Sequence, residues 1–341
     1  CLNIEIGLND SVNLPFLGPI VGEEYLNFRF ATKSSGDEID PGSMYMVSIK
    51  HRYITKDRQQ IYVLRFTSEQ GIVNHSTRIS RSYKGKRIDQ IVVNILDDFL
   101  DIDDQYDYDD SIEQTKGLEN IVIPNWTPFH AINWLSKRAI NKNNVANFMY
   151  WEGRGILQAE LVFKSIDSLV QEDTVQKFRF NPLSNDTTKL ESAKAGVMEL
   201  DKLEIINQFN VIHNLDSGYY ASKLITHDIV RKKIEERVKG LDEMYNSNVN
   251  HTDEYMPISI EEPYYSSAPR LNFAKPIQPK RKSENLQGFF NSNVVLWPKH
   301  NQMYAENIGD KYDNKVEDWL LQRNMLMNTL NQIKLSIEFP A

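Results

Sequence analysis

Side-chain character alternates along much of the first hundred residues. The segments SMYMVSIKHRYI and QQIYVLRFTS switch between apolar and polar residues at every second position and are rich in Tyr, Ile, Val and Phe, which predicts half-buried β-strands. The polar run TKDR separates them, so we expect an antiparallel hairpin. Three further segments predict strands: NIEIGL, LNFRFAT and TRISRSY. About five strands ahead of the first helix predict a small barrel or sandwich.

A helix that closes this domain is predicted over RIDQIVVNILDDFL. Its apolar residues recur at helical spacing as one continuous stripe: Ile88, Ile91, Val92, Ile95, Leu96 and Phe99. A stripe of this kind is typical of a helix that covers a hydrophobic core.

A second helix is predicted over residues 128–140, within IPNWTPFHAINWLSKRAI. Thr127 suits the N-cap and Pro128 the first turn, where a missing N–H costs nothing, while Pro124 is expected to end the preceding strand. Four apolar residues form the predicted inward face: Phe129, Ile132, Leu135 and Ala139. Four polar residues are predicted to lie on the other sides: His130, Asn133, Lys137 and Arg138.

Two tryptophans of this segment, Trp126 and Trp134, lie off the apolar stripe. Trp is enriched among the residues that contribute most to protein–protein interfaces. We therefore expect these two side chains to pack in a second domain or at a subunit contact. They are the interface candidates of this sequence.

A hairpin is predicted next, from ANFMYWEG and LQAELVFKS. The segment GRG between them supplies the glycines that a tight reversal needs. A helix that leads into a hairpin predicts a small α+β domain.

The chain beyond residue 200 predicts a helix over 203–213, a turn at DSG and a strand over 219–228. A stretch rich in Pro, Ser, Lys and Arg predicts an irregular arm over 255–300 that reaches a neighbouring subunit. A last helix precedes the strand IKLSIEF and has a predicted inward side: Val316, Trp319, Leu320, Arg323, Leu326, Met327 and Leu330.

Composition narrows the class of protein. The chain has 341 residues, of which 40% are hydrophobic and 25% charged, values typical of folded globular domains. Lys and Arg number 39 against 47 Asp and Glu, a formal net charge of -8, which disfavours nucleic-acid recognition. No apolar run is long enough to cross a bilayer. The one cysteine, Cys1, excludes an intramolecular disulfide and a cysteine-based zinc site within the chain.

Both ends of the sequence are expected to be cut. The chain opens on Cys1 rather than on methionine, and it stops at LSIEFPA within a predicted strand. The full protein is therefore expected to be longer.

Motifs for catalysis or ligand binding are missing from the sequence. No HExxH, GxSxG, GxxxxGK[ST] or GxGxxG motif occurs. The acidic run DIDDQYDYDD, residues 101–110, has some of the spacing of a calcium loop but lacks the glycine of an EF-hand. A solvated linker is the favoured interpretation, and calcium binding the alternative.

Three weaker groupings are further candidate sites. Ser222, His227 and Asp228 resemble a triad, but neighbours in a strand point to opposite faces. Glu152 and Glu160 flank the hairpin as a glycosidase pair would. The basic cluster at 280–282 suits a phosphate or an acidic partner. A structural or solvated role is favoured for each.

Several segments, taken in order, resemble the baseplate hub proteins of contractile-tailed bacteriophages. The first is MYMVSIKHRYI with the run QQIYVLRFTSEQGIVNHSTRISRSYKGKRIDQIVVNIL. It is followed by IVIPNWTPFHAINWLSKRA and by ANFMYWEGRGILQAELVFKSIDSLV. NLDSGYYASKLITHDIVRKK and WLLQRNMLMNTLNQIKLSIEFP are also similar. The resemblance covers roughly residues 40 to 341 and is weakest over 235–310. One departure is that Pro340 is followed by Ala341, where the family continues with Pro-Gly and a second barrel half.

This resemblance implies an α+β, β-rich fold with tandem small β-barrel tube domains, inserted helices and a smaller α+β domain. It implies a homotrimeric, pseudo-sixfold hub ring, with the tail tube or tube-initiator proteins, the central spike and baseplate wedge proteins as partners. The genome DNA would pass through the lumen without sequence-specific binding. The place of action would be the virion baseplate, assembled in the host cytoplasm, with no cofactor, no metal, no membrane insertion and no enzyme activity.

Two alternatives stay open. One is the hub region of a type VI secretion spike protein, and the other is a cell-wall-degrading baseplate enzyme. Four domains are predicted: a first barrel with its closing helix over 1–115, an α+β domain over 116–200, a strand segment with the arm over 201–300, and a helix with the start of a second barrel over 301–341.

Overall fold

The computed structural model describes residues 3–12, 14–18, 20–27, 30–31, 38–39, 43–55, 59–100, 102, 108, 110–154, 159–173, 177–180, 197–207, 210–228, 232–241, 289–298, 316–329 and 334–338. Two compact units hold them. The first unit lies within Cys1–Lys142 and Phe148–Ser165, and the second within Asn143–Asn147, Ile166–Met303 and Asp313–Ala341. The predicted α+β, β-rich class is confirmed. No helix among the described residues is long and apolar enough to span a membrane.

The elements of the first unit follow in chain order. They are β1 (Asn3–Asp10), α1 (Leu14–Leu17), β2 (Tyr25–Leu26), β3 (Phe30–Ala31), β4 (Glu38–Ile39), β5 (Met44–Ile54), β6 (Gln60–Ser68), α2 (Glu69–Ser76), β7 (Ile79–Lys86), α3 (Ile88–Leu100), β8 (Glu119–Trp126), α4 (Pro128–Ser136), β9 (Phe148–Arg154) and β10 (Ala159–Ser165).

An antiparallel sheet opens the first unit, with strand order β1-β6-β5-β2. The predicted hairpin of β5 and β6 is confirmed, with Met44 opposite Ser68. One face of this sheet is buried around Met44, Tyr62 and Phe66, and it also packs the inward residues of β1. The segment LNFRFAT, predicted as one strand, instead contributes the short strands β2 and β3 to two different sheets.

A second core lies around α3. The predicted stripe is confirmed, because Ile88, Ile91, Val92, Ile95 and Leu96 are buried and Phe99 packs against them. Each such side chain contributes roughly 1.5 to 3 kcal/mol when fully buried. The antiparallel pair β7–β8, the helix α4 and the hairpin β9–β10 share this core. The β7–β8 pair joins residues on both sides of the predicted boundary at residue 115.

Helix α4 is shorter than predicted. It begins at Pro128 as expected but ends at Ser136 rather than at residue 140. Thr127 occupies the N-cap position without a side-chain hydrogen bond. An N–H of the first turn is satisfied instead by Asn74, whose Oδ1 accepts from Phe129 N at 2.8 Å. The helix start is therefore capped by a distant side chain, which local sequence cannot reveal.

Two predictions for the segments next to this helix were wrong: Pro124 does not end β8, and Gly153 and Arg154 do not form the turn of the next hairpin. Strand β8 continues through Pro124 to Trp126, with Pro124 opposite Ser80. Proline is tolerated there because β8 pairs with β7 on one side only among the described strands. In the hairpin of β9 and β10, Gly153 and Arg154 belong to β9, and residues 155–158 lie outside the described residues.

The elements of the second unit also follow in chain order. They are α5 (Ile166–Gln171), β11 (Lys177–Phe180), β12 (Val197–Leu200), β13 (Lys202–Asn207), α6 (Val211–Asp216), β14 (Ala221–Asp228), β15 (Lys233–Gly240), β16 (Val294–Pro298), α7 (Val316–Thr329) and β17 (Lys334–Glu338).

The helix predicted over 203–213 was wrong. Residues Lys202–Asn207 form strand β13, and the helix α6 covers only Val211–Asp216. The strand forms because Leu203 and Ile205 pair with Ile337 and Leu335 of β17, more than a hundred residues later. A partner at that separation overrides a locally ambiguous pattern.

The strand predicted near 219–228 is confirmed as β14, at the centre of a sheet with order β15-β14-β16. Strand β16 lies inside the predicted irregular arm over 255–300, so that prediction was wrong for residues 294–298. Residues 255–288 and 299–300 of the arm lie outside the described residues. The turn at DSG is confirmed by Gly218, whose φ is +79°.

The last helix and strand are confirmed as α7 and β17, but the predicted inward side of α7 is confirmed only at Trp319 among the described side chains. The buried residues are Trp319, Leu321 and Met325, whereas Leu320 and Leu326 are half-buried. Apolar residues occur all around this helix, so spacing alone does not define its phase. Contact with β14 determines which side of α7 is buried.

Candidate interface surface

Trp126 and Trp134 come together at the junction of β8 and α4. Trp126 is the last residue of β8, and Trp134 lies two turns into α4. Their rings are 5.4 Å apart at an interplanar angle of 61°, an edge-to-face pair. Both are half-buried and pack against the core around α3. Each tryptophan therefore has one side fixed by the core and one side near the surface.

Two more side chains extend this pair along α4. His130 meets the Trp126 ring edge-on at 5.0 Å, and the Arg138 guanidinium lies 4.9 Å from the Trp134 ring centre. The four residues are spaced four apart, which places them on one side of the helix and its continuation. We call Trp126, His130, Trp134 and Arg138 the aromatic column.

Arg138 fixes the far end of the aromatic column. Contrary to prediction, its side chain is buried, with 9% of it exposed, and its Nη2 lies 3.6 Å from Oε2 of Glu119, which is 2% exposed. A buried ion pair does not stabilise a fold strongly in itself, but removing one partner is costly. The pair holds the end of α4 to the start of β8.

Exposed polar side chains lie on and beside the aromatic column. His130, Asn133 and Lys137 are exposed, as predicted. The surface they form with the two tryptophans is amphipathic, which suits a protein contact. That Trp126 and Trp134 meet another domain or subunit stays a prediction.

The structure does not assemble the weaker catalytic candidates. Ser222 is fully buried while His227, on the same strand, is exposed. Glu152 is buried, and its Oε2 accepts a hydrogen bond from Ser68 Oγ at 2.8 Å. Glu160 lies opposite Gly153 in the hairpin. Glu152 is thus tied into the packing of the first unit.

The metal and basic candidates fall largely outside the described residues. Of the acidic run 101–110, the structure describes residues 102, 108 and 110. Tyr108 donates a hydrogen bond to Asp97 Oδ1 at 2.6 Å. In the described part of the chain, no three His, Cys, Asp or Glu side chains are grouped to hold a metal ion. The cluster at 280–282 is outside that part.

Exposed apolar surfaces of the second unit were missed by the sequence analysis. Ile234 and Val238 of β15 and Val294 and Leu296 of β16 are exposed on the same face of the three-stranded sheet, with β14 between the two strands. Its other face, with Leu224, is buried. The two-stranded ribbon of β13 and β17 exposes Ile205, Leu335 and Ile337. Period-two alternation in KIEERVKG and KLSIE was the available signal.

Comparisons with known proteins gave structural neighbours only. No family model matches the chain, and no curated protein matches it. A tail protein from Neisseria meningitidis MC58 shares 8% identity, with 98% of this chain and 74% of that chain covered and a TM-score of 0.42.

Two further solved structures are similar over shorter parts. The E. coli c3393 protein, a type VI secretion component described as similar to the T4 bacteriophage tail proteins gp27 and gp5, shares 13% identity over 60% of this chain and 48% of its own, with a TM-score of 0.36. A chain of the Francisella PdpA-VgrG complex shares 13% identity, with 69% of this chain and 34% of that chain covered and a TM-score of 0.32. The chain spans about half the length of the E. coli protein. At these scores the likeness assigns no role to any residue.

Proposed function

We propose that this chain is a structural baseplate hub subunit of a contractile phage tail. Three copies form a pseudo-sixfold ring that joins the tail tube to the central spike and surrounds the DNA channel. The observation that supports the proposal best is that the first three segments resembling hub proteins supply, in order, most of the strands and helices that pack the two cores of the first unit.

These segments become β5, β6, α3, β8, α4, β9 and β10. Within IVIPNWTPFHAINWL the buried positions are Ile121, Ile123, Phe129, Ile132 and Leu135. Packing requirements select the residue types at such positions. The pattern that resembles the hub family is therefore the pattern that packs this core.

A hub must transmit force between a tube and a spike, and the first unit has buried polar contacts suited to that task. Thr115 donates from both N and Oγ1 to Oδ1 of Asp89, at 3.2 and 2.7 Å. Arg87 contacts the same carboxylate from the solvent side. Together with the Arg138–Glu119 and Ser68–Glu152 contacts, these bonds join elements distant in sequence. Networks of this kind rigidify a domain.

The proposed partners are two further copies of the chain, the tail tube or tube-initiator proteins, the central spike and the surrounding wedge proteins. The net charge of -8 is compatible with a channel that does not retain DNA. The proposed location is the virion baseplate.

We also propose that the chain has no enzyme activity. Glu152, the most plausible acid of the hairpin, is hydrogen-bonded to Ser68 inside the first unit. A peptidoglycan-clearing assay is expected to be blank. Clearing that is lost in Glu152→Gln would establish the enzyme alternative. A spike fused within the full-length chain would instead favour the type VI secretion alternative.

The test of the hub proposal is the mass of the purified protein by light scattering, alone and with tube and spike proteins. We expect a three-copy mass. A protein that stays monomeric at high concentration with both partners present contradicts the proposal. Trp126→Phe and Trp134→Phe, which keep an aromatic ring against the core, test whether these residues contribute to the contact. The control is Asn9→Ala, at an exposed position of β1 outside this surface.

A further inference from the structure

The two-stranded ribbon of β13 and β17 exposes apolar side chains on one of its faces. Its two strands pair only with each other among the described strands. Ile205, Leu335 and Ile337 are 58%, 51% and 38% exposed, and all lie on one face of the ribbon together with Leu203. The opposite face carries Lys202, Glu204, Lys334, Ser336 and Glu338. A two-stranded ribbon is marginally stable in water by itself, so a further contact would stabilise a ribbon that has no third strand among the described residues.

The free edge of β17 can be located from its hydrogen bonds. Glu338 O accepts a bond from Asp201 N at 2.9 Å, so the backbone groups of Glu338 face β13. Backbone groups point to alternate sides along a strand. The backbone groups of Ser336 and Lys334 therefore also face β13, whereas the N–H and C=O groups of Leu335 and Ile337 face the edge that pairs with no other described strand.

The sequence of β17 is complementary to itself in the antiparallel direction. When KLSIE is paired with a second KLSIE about Ser336, Lys334 lies opposite Glu338, and Leu335 lies opposite Ile337. Both are favourable cross-strand pairs. In this register, the backbone N–H and C=O groups of Leu335 and Ile337 form the hydrogen bonds between the two β17 strands.

The same construction does not suit the other strand of the ribbon. If KLEII of β13 is paired antiparallel with a second KLEII about Glu204, the two Glu204 carboxylates lie opposite each other. Like charges directly opposite destabilise a strand pair. Charge and side-chain pattern thus favour β17 as the pairing edge.

We propose that β17 pairs with β17 of a second copy of this chain. The contact forms a four-stranded antiparallel sheet, β13-β17-β17-β13, with a twofold axis at Ser336. Leu203, Ile205, Leu335 and Ile337 of both ribbons then lie on one continuous face. The Lys334–Glu338 pairs set the register, since exposed ion pairs contribute more to specificity than to stability. The contact is twofold and does not rest on the proposed threefold hub.

Disulfide trapping at the twofold axis tests this pairing. Because the backbone groups of Ser336 face β13, the two Ser336 residues form a non-hydrogen-bonded pair, with Cα atoms about 4.5 Å apart. That separation permits a disulfide. In a Cys1→Ser background, Ser336→Cys is expected to give a covalent dimer under mild oxidation. Lys334→Cys is the matched control, because its two copies are separated by roughly 13 Å in this register.

Charge reversal provides a second readout in the Ser336→Cys protein. Adding Lys334→Glu places the introduced carboxylate opposite that of Glu338, and we expect most of the covalent dimer to be lost. Glu338 also pairs with Lys202 of its own ribbon at 3.2 Å. Reversing Glu338→Lys together with Lys202→Glu therefore restores both pairs and is expected to restore the dimer. Lys142→Glu, an exposed change in the first unit, should leave it unchanged.

No covalent dimer from a folded Ser336→Cys protein overturns the proposal, as does equal trapping by Lys334→Cys. Such a result leaves the hub proposal intact, because the light-scattering mass reports a different contact. Conversely, a trapped dimer from a chain that never forms a three-copy ring supports the pairing and contradicts the hub.

Discussion

Ser68 Oγ donates a hydrogen bond to Glu152 Oε2 at 2.8 Å, although the two residues are 84 positions apart. The same Ser68 Oγ accepts from Gly71 N at 3.3 Å and so caps α2. One hydroxyl therefore joins the end of β6, the start of α2 and the strand β9. Both side chains are buried, so this junction is shielded from solvent.

Ser68→Ala is expected to destabilise the protein by about 2 to 4 kcal/mol. It removes a helix cap and a hydrogen bond to a buried carboxylate. Chemical denaturation measures the change in the free energy of unfolding. Ser80→Ala, at an exposed position of β7, is the control and should change it by less than about 0.5 kcal/mol. Equal effects of both substitutions would show that the junction contributes nothing.

Phe129→Ala is expected to cost about 3 to 5 kcal/mol of unfolding free energy. Phe129 is buried in the core around α3 and lies 5.6 Å from the Tyr150 ring. The exposed Asn133→Ala in the same helix should be nearly neutral. A Phe129→Ala cost below about 1 kcal/mol would mean that the buried face of α4 is assigned wrongly.

Arg138→Ala is expected to cost about 3 to 5 kcal/mol, because it removes a partner of the buried Glu119 carboxylate and uncovers Trp134. Its neighbour Lys137 is exposed, and Lys137→Ala should have little effect. Thermal melting followed by tryptophan fluorescence reports both stability and the environment of the aromatic column. If the Arg138→Ala and Lys137→Ala proteins melt at the same temperature, the stability of the aromatic column does not depend on Arg138.

Gly218→Ala is expected to destabilise the second unit by about 1 to 3 kcal/mol. Gly218 has φ of +79°, and an added Cβ would lie 2.9 Å from Asn293 Cγ. Movement of Asn293 would weaken the bond from its Nδ2 to Asp216 O, which measures 2.8 Å.

Gly7→Ala provides the matched control for this prediction. An added Cβ there meets no atom within 4 Å, so the substitution should be neutral or slightly stabilising. Urea denaturation distinguishes the two variants. Similar unfolding curves for both would contradict the assigned turn geometry.

The local pattern of apolar and polar residues correctly predicted the elements that bury one face and expose the other. The stripe of α3 was correct at every position because its apolar residues form one face and its polar residues another. The β5–β6 hairpin was correct because alternation specifies which face is buried. Both signals are contained within a single segment.

Long-range contacts account for the errors. Strand β13 exists because β17 pairs with it, and β16 because it lies parallel to β14. The buried side of α7 depends on β14, since apolar residues surround that helix. In the aromatic column, Trp126 and Trp134 were identified as candidates from the sequence, but the burial of Arg138 follows from Glu119, which no local spacing indicates.

Electron microscopy of the purified protein with its tube and spike partners is the decisive measurement for the hub function. Class averages are expected to show a ring with threefold symmetry and near-sixfold features around an open channel. Class averages in which the tube and spike partners are bound, but each particle contains a single copy of this chain, would contradict the hub function.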